Sequence, residues 1–279
     1  MLALVTSLRH PHNSHDYAHV EMIFDRALRS WLRQTNSQFI VVVVGNRAPS
    51  IPLPPQVTFV PVDFDPPSDV RGPRTGVPAV LRDKGTKLAV GLLAARQHSD
   101  LSHVMFVDSD DFLSRRLSGF VADHKNARGW TITHGWRYNS DRRAVRPHRG
   151  DFHLQCGSSH IVRHDLYPAV DLPTSASQDQ LYAGFGDRLE RWIGSHMYVQ
   201  EDLSLPALPF PGALYQVGSG EAHSGNSMGS LGAPVSRAVS AEFGVPSTGY
   251  SPRRMVKAVL PSPEAVVARL DRIRRLRAR

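Results

Sequence analysis

The run Phe39 to Asn46, FIVVVVGN, constrains this chain more than any other stretch. Successive side chains of a strand point to opposite faces, so a strand with no alternating polar residue must be covered on both sides. Parallel strands with helices packed on both faces of their sheet meet that condition. The segments around it fit the same plan. Leu2 to Leu8, LALVTSL, is a short apolar first strand, and VTFVPV is a third. Tyr17, Val20, Phe24, Ala27, Leu28 and Trp31 recur at helical spacing, with Asn13 or Ser14 as the expected cap. Asp83 to Gln97 repeats the pattern through Leu88, Leu92 and Ala95, and HVMFV follows as a fourth strand. This alternation predicts an α/β fold: a single, mostly parallel sheet flanked by helices. In such sheets ligands bind beyond the carboxyl ends of the strands. Three of those ends carry polar loops, at Thr6-Ser7, Gly45-Asn46 and Asp108-Ser109-Asp110.

Beyond Ser114 the pattern predicts a helix toward Asn126, strands at WTITHGW and SSHIVR, and a helix over about Gln178 to Trp192. The Gly- and Pro-rich stretch from Leu205 reads as loop, and from Pro263 a last helix sets Val266, Val267, Leu270, Ile273 and Leu276 on one side among arginines. The net charge of +8 is concentrated at that end: residues 253–279 hold nine basic and two acidic side chains, leaving the rest nearly balanced. A basic face on the main body, which nucleic-acid binding would want, is therefore not expected. The opening MLALV lacks a signal peptide's basic flank, and one cysteine, Cys156, excludes an internal disulfide. A cytoplasmic location is expected, with peripheral contact at the inner membrane face through the basic helix.

The fourth strand runs into Asp108, Ser109, Asp110 and Asp111. Carboxylates this close repel one another, so the cluster is either a solvated turn in which Asp110 or Asp111 caps the next helix, or a seat for something positive. Hard oxygen ligands at i and i+2 suit Mg²⁺ or Mn²⁺, which keep waters and take substrate phosphates as further ligands. Bridged to a diphosphate, such an ion acts as a Lewis acid toward the leaving group.

With its preceding helix LRDKGTKLAVGLLAA, the motif Val107-Asp108-Ser109-Asp110-Asp111 resembles the D-x-D-D of GT-A-fold glycosyltransferases, especially the family 2-like group. The resemblance covers roughly residues 2 to 125. It implies a nucleotide-sugar-binding half (1–127), an acceptor-binding half (128–250) and a basic tail (251–279). It further implies that Asp108 contacts the donor ribose or a metal water, with Ser109 beside it, while Asp110 ligates Mn²⁺ or Mg²⁺. Thr6 and Ser7 would lie against the nucleotide; Lys84 or Lys87, following Asp83, would reach the diphosphate; Arg9 would touch phosphate or acceptor. His223, in GSGEAHSGN, would complete the metal site, with Glu221 as its substitute. An inverting transfer needs a carboxylate base, sought in SQDQLYAGFGDRLERW: Asp187 is favoured, with Glu190 one turn on and Asp179 also present. Many members end the second strand in an acidic residue where this chain has Gly45-Asn46, so a UDP-sugar is expected by default only. The activity implied is hexosyl-type transfer to a hydroxyl on a cell-envelope glycan, a glycolipid or a metabolite.

Other classes fit less well. A haloacid-dehalogenase-type phosphohydrolase places its D-x-D on the first strand before a Gly-Thr turn, and DSDDFLS does neither. A nucleotidyltransferase of related architecture would carry glycines after the first strand, where TSLRHPHNSH has none. A non-catalytic adaptor docking on membrane or RNA would rest on the tail alone. His10, His12, His15 and His19 lack the carboxylates of an independent metal site, and Cys156 reads as a small buried residue rather than a nucleophile.

Overall fold

The computed structural model describes residues 1–72, 76–218, 228, 232–247, 252 and 256. Its strands and helices run β1 (Leu2–Ser7), α1 (Tyr17–Trp31), β2 (Phe39–Gly45), β3 (Val57–Pro61), α2 (Val77–Ala95), β4 (His103–Phe106), β5 (Phe112–Leu113) and α3 (Leu117–Asp123). There follow β6 (Gly129–Thr131), β7 (His134–Asn139), β8 (Ala144–Arg149), β9 (His160–Arg163), α4 (Gln178–Phe185), α5 (Val199–Leu203), β10 (Ala213–Gln216), β11 (Ala233–Pro234) and α6 (Arg237–Phe243).

The expected mostly parallel sheet is present, in the order β3-β2-β1-β4-β9-β6. The first four strands run parallel: Leu2 pairs with Phe39 and His103, and Val41 with Val57. Strand β9 is antiparallel to β4 and to β6, so residues from both halves of the chain share this sheet. The apolar run is explained by its two covers. Val41 and Val43 pack with Phe24, Leu28 and Trp31 of α1, while Val42 and Val44 pack with Leu88 and Leu92 of α2. A second sheet, ordered β11-β8-β7-β10-β5, lies beyond the acidic turn; the sequence pattern did not announce it.

Several boundaries differ from the sequence reading. Asp16, not Asn13 or Ser14, caps α1, its carboxylate accepting from the N–H groups of Ala18 and His19 at 3.0 and 3.3 Å. Helix α2 begins at Val77 with proline in its first turn, a place where proline's missing N–H costs nothing. The helix expected to reach Trp192 stops at Gly186, which adopts φ 57°, and a π-helix, Leu189–Gly194, follows. WTITHGW divides between two sheets, and the supposed loop from Leu205 contains the buried strand β10. Among the described residues no helix is long and apolar enough to cross a membrane. The tail helix expected from Pro263 lies outside the described residues.

Candidate active site

The acidic residues occupy the turn between β4 and β5, at the carboxyl end of the parallel sheet. Val107 N–H still bonds to Val5 O at 2.9 Å, and Asp111 N–H closes the turn onto Asp108 O at 3.0 Å. One hydroxyl fastens both ends: Ser158 Oγ accepts from Asp108 N–H at 2.9 Å and donates to Asp111 Oδ2 at 2.7 Å. Ser158 lies just before β9, the strand beside β4.

Within this turn the three carboxylates differ. Asp111 is fully buried and accepts from Ser158 Oγ, from Cys156 Sγ at 3.2 Å and from Gln216 N–H at 3.0 Å. Burial and the neighbouring Asp110 and Asp108 push its carboxyl well above the usual range. It anchors the turn and caps no helix. Asp108 and Asp110 are partly exposed. Burial would raise Asp108, but the Lys84 ammonium, 2.5 Å from its Oδ1, outweighs that with help from His196 and the Gly157 N–H. Asp110 is pushed up to about 7 by burial and by the Asp108 charge, against the pull of Lys84 and Arg9. Burial and crowding thus work against a second negative charge in this turn, a penalty that a bound cation would relieve.

The structure brings Lys84 and Arg9 to this turn. Arg9 also donates to Asn13 O at 3.4 Å. Lys87 and Asp83 belong elsewhere: Lys87 is fully buried and its Nζ bonds Leu8 O at 3.1 Å and Asp83 Oδ2 at 2.8 Å, tying α2 to the end of β1. That removes Lys87 as a ligand for a donor diphosphate. Thr6 is buried at the end of β1 with its hydroxyl unbonded, Ser7 is partly exposed, and Ser109 sits in the turn itself. At the end of β2, Asn46 donates to Phe64 O at 2.8 Å while its Oδ1 is buried without a partner, and Asn13 Oδ1 is in the same state. Buried acceptors without donors are uncommon in folded proteins and call for an explanation.

Asp187 and Glu190 are not drawn in. The Asp187 side chain is 72% exposed beside Arg188, and Glu190 accepts from Tyr182 Oη at 3.3 Å on the surface. Asp179 pairs with Arg82 at 2.5 Å, also at the surface. None lines the cavity beside Asp108, which is bounded by Lys84, Gly157, His160, Trp192 and His196. That cavity, of about 20 Å³, has room for a single water. His160 and His196 each turn an unpartnered Nε2 into buried surroundings. Burial first, then neighbouring positive groups, lowers them to about 3 and about 4, so both are neutral imidazoles. His223 and Glu221 lie outside the described residues.

Sequence reasoning missed Ser158, Gly157 and His196. A Cβ on Gly157 would stand 3.0 Å from Asp108 Cγ, so only glycine lets the carboxylate lie where it does. The signal available was QCGSSH, a string of small residues entering a strand. Cys156 is buried as expected; burial and the adjacent Asp111 push its thiol far up, away from nucleophilic use. Of the loop histidines, His10 accepts from His12 N–H at 3.1 Å and His12 Nε2 bonds Asp69 O at 2.9 Å.

Among the described residues no three His, Cys, Asp or Glu side chains are grouped to hold a metal by themselves. Two partly exposed carboxylates on one turn fit an ion such as Mg²⁺ or Mn²⁺, which takes its remaining ligands from water and phosphate. A softer ion needing a closed protein cage does not fit.

No protein-family profile matches the chain, and no curated protein sequence matches it. Among solved structures it is similar to a crystal structure of S. aureus TarS residues 1–349, at 13% identity and a TM-score of 0.39, covering 77% of this chain and 60% of that one. A second crystal structure of S. aureus TarS is matched at 15% identity and a TM-score of 0.32, over 77% of this chain and 36% of that one. The chain therefore spans less than two thirds of the length of either neighbour.

Proposed function

We propose that this chain is a metal-dependent glycosyltransferase of GT-A type, moving a sugar from a nucleoside-diphosphate donor to a hydroxyl acceptor. The observation that carries the reading is the pair Asp108 and Asp110, crowded and partly exposed on one turn at the carboxyl end of a parallel sheet. A carboxylate in that state gains from a cation, and a diphosphate brought with the cation adds the missing ligands. Asp108 and Asp110 would hold Mn²⁺ or Mg²⁺, whose Lewis acidity would favour departure of the nucleoside diphosphate.

The protein's own groups divide the remaining work. Lys84 stands at the turn as a fixed positive charge for the diphosphate. The unpartnered Oδ1 atoms of Asn13 and Asn46 would accept equally from a ring N–H of uracil, thymine or guanine, so UDP is kept only as the default donor nucleotide. Thr6 would add a hydroxyl at the same strand end. Asp187 and Glu190 stand apart from the turn, so neither is given the acceptor's proton. The acceptor is taken to be a glycan, glycolipid or small-molecule hydroxyl.

The test is thermal denaturation of the full chain with UDP-, GDP- and dTDP-sugars, each with and without Mn²⁺. Stabilisation by a nucleotide sugar only when Mn²⁺ is present, lost in Asp110→Ala, supports the reading. Metal-independent stabilisation, or none, or full donor turnover by Asp110→Ala, refutes it.

A further inference from the structure

A second cavity, of about 790 Å³, opens between the outer face of α1 and the β7–β8 hairpin. Arg26 and Arg29 of α1 line one side, and Arg142 and Arg143 of the hairpin turn line the other, with Tyr138 and Asp141 between. Four guanidinium groups line the cavity, and Arg26 and Arg143 are the two that carry the argument. Arg29 is held by Asp25 at 2.8 Å. Arg26 donates to the Met22 thioether at 3.5 Å, and neither Arg26 nor Arg143 has a carboxylate at ion-pair distance among the described residues. The groups converge, because Arg26, Arg143, Asp141 and Tyr138 all line the one cavity.

The turn is built to hold them there. Arg143 sits at φ 46°, a left-handed backbone that a long side chain seldom adopts. Its N–H bonds Ser140 O at 3.2 Å and its carbonyl accepts from Val235 N–H at 3.4 Å, fixing the turn from both sides. The cavity also adjoins the acidic turn: Phe112, which follows Asp111, lines it, as does Gln216, whose N–H bonds Asp111. Arginine forks match phosphate oxygens and need no metal to do so. A volume of this size admits a phosphorylated sugar.

We infer that this arginine-lined cavity binds a phosphate-bearing, hydroxyl-rich acceptor, beside the donor site rather than within it. This deepens the transferase reading and rests on it for the word acceptor; the anion site itself stands on the cavity alone. The test is calorimetric titration of the full chain in EDTA with glucose 6-phosphate, glucose and inorganic phosphate. Glucose 6-phosphate should bind more tightly than either part, and Arg26→Gln with Arg143→Asn should weaken it by about tenfold or more. Asparagine tolerates the left-handed backbone, and Arg26→Gln alone, on an exposed helix face, supplies a second variant with intact packing. Equal binding by wild type and variants, or no binding by wild type, overturns the inference. Inorganic phosphate binding as tightly as glucose 6-phosphate overturns the acceptor assignment. UDP with Mn²⁺ is titrated separately on wild type: its failure, with arginine-dependent glucose 6-phosphate binding intact, strikes the donor reading and leaves the cavity's ligand class standing.

Discussion

The ammonium of Lys84 lies 2.5 Å from Oδ1 of Asp108, with each side chain 28% exposed. This pair joins the middle of α2 to the turn after β4, and it is the main compensation for the acidic turn among the described residues. Burial lowers a lysine, yet Lys84 is raised overall because the charge and hydrogen bond of Asp108 prevail, with Asp111 and Asp110 adding to them.

Lys84→Met should therefore cost about 1–3 kcal/mol of unfolding free energy at pH 7, the range for a hydrogen bond between charged groups at a partly open site. The sign with pH follows from Asp108, whose carboxyl is held below its ordinary value once burial is outweighed. That contribution is present above about pH 4 and is lost as pH falls through the native value. Urea titrations of wild type and variant should accordingly converge in acid. A gap that stays constant from pH 7 to pH 3 would show that the pair is not the source.

Asp111 is expected to behave as part of the frame. Its removal in Asp111→Ala leaves Ser158 Oγ, Cys156 Sγ and Gln216 N–H buried without their acceptor. At about 1–3 kcal/mol for each stranded donor, the loss should exceed that of any substitution at Asp110. Asp111→Asn keeps one oxygen in place and should recover part of it. Guanidinium midpoints for the three variants decide the matter. Equal stability of Asp110→Ala and Asp111→Ala would contradict the division of roles.

What the sequence disclosed followed from local pattern. The β-branched run of β2 could only be a covered strand, and the spacing of Val20, Phe24, Ala27 and Trp31 could only present one face of a helix. The acidic turn was legible because an apolar strand ended in carboxylates. Its internal division was not, because Asp111 owes its burial to Ser158 and Gln216, partners 47 and 105 residues away. Strand β10 escaped notice because four residues between a proline-glycine pair and a glycine-serine stretch carry too short a pattern, and its burial comes from β5 and β7. Lys87 looked like a ligand because a lysine on a helix usually reaches solvent; its bond to Leu8 O depends on where β1 ends.

Gly157 gives a test of positioning without removal of any ligand. The Cβ of Gly157→Ala would press on the Asp108 carboxylate, 3.0 Å from Cγ and 3.1 Å from Oδ1. Displacing that carboxylate should weaken Mn²⁺-dependent UDP binding by about tenfold or more, since a misplacement near 1 Å disables an oriented site. The unfolding midpoint should shift much less than for Asp111→Ala. Calorimetry with UDP and Mn²⁺ reads the first and denaturant the second. Unchanged nucleotide affinity would mean that the carboxylate's position there is not used.

His103 sets the acid sensitivity of the sheet's centre. It is fully buried at the start of β4, bonded through Nε2 to Ala127 O at 3.0 Å and through Nδ1 to Ser102 Oγ at 3.1 Å, and stacked on Trp130 at 5.2 Å. Burial lowers it to about 4, outweighing the Ala127 carbonyl, so it is neutral in the native protein. The unfolded chain takes up a proton near pH 6.5. Stability from this residue is thus complete above that value and declines at about 1.4 kcal/mol per pH unit as pH falls toward 4. His103→Phe keeps a ring on Trp130 but cannot titrate. The variant should be less stable at pH 7 by about 1 kcal/mol for each hydrogen bond lost, and its stability should fall less steeply between pH 6.5 and 4. Urea unfolding at half-unit intervals measures both slopes, and parallel lines would place a charged imidazole inside the native sheet, against the geometry that surrounds it.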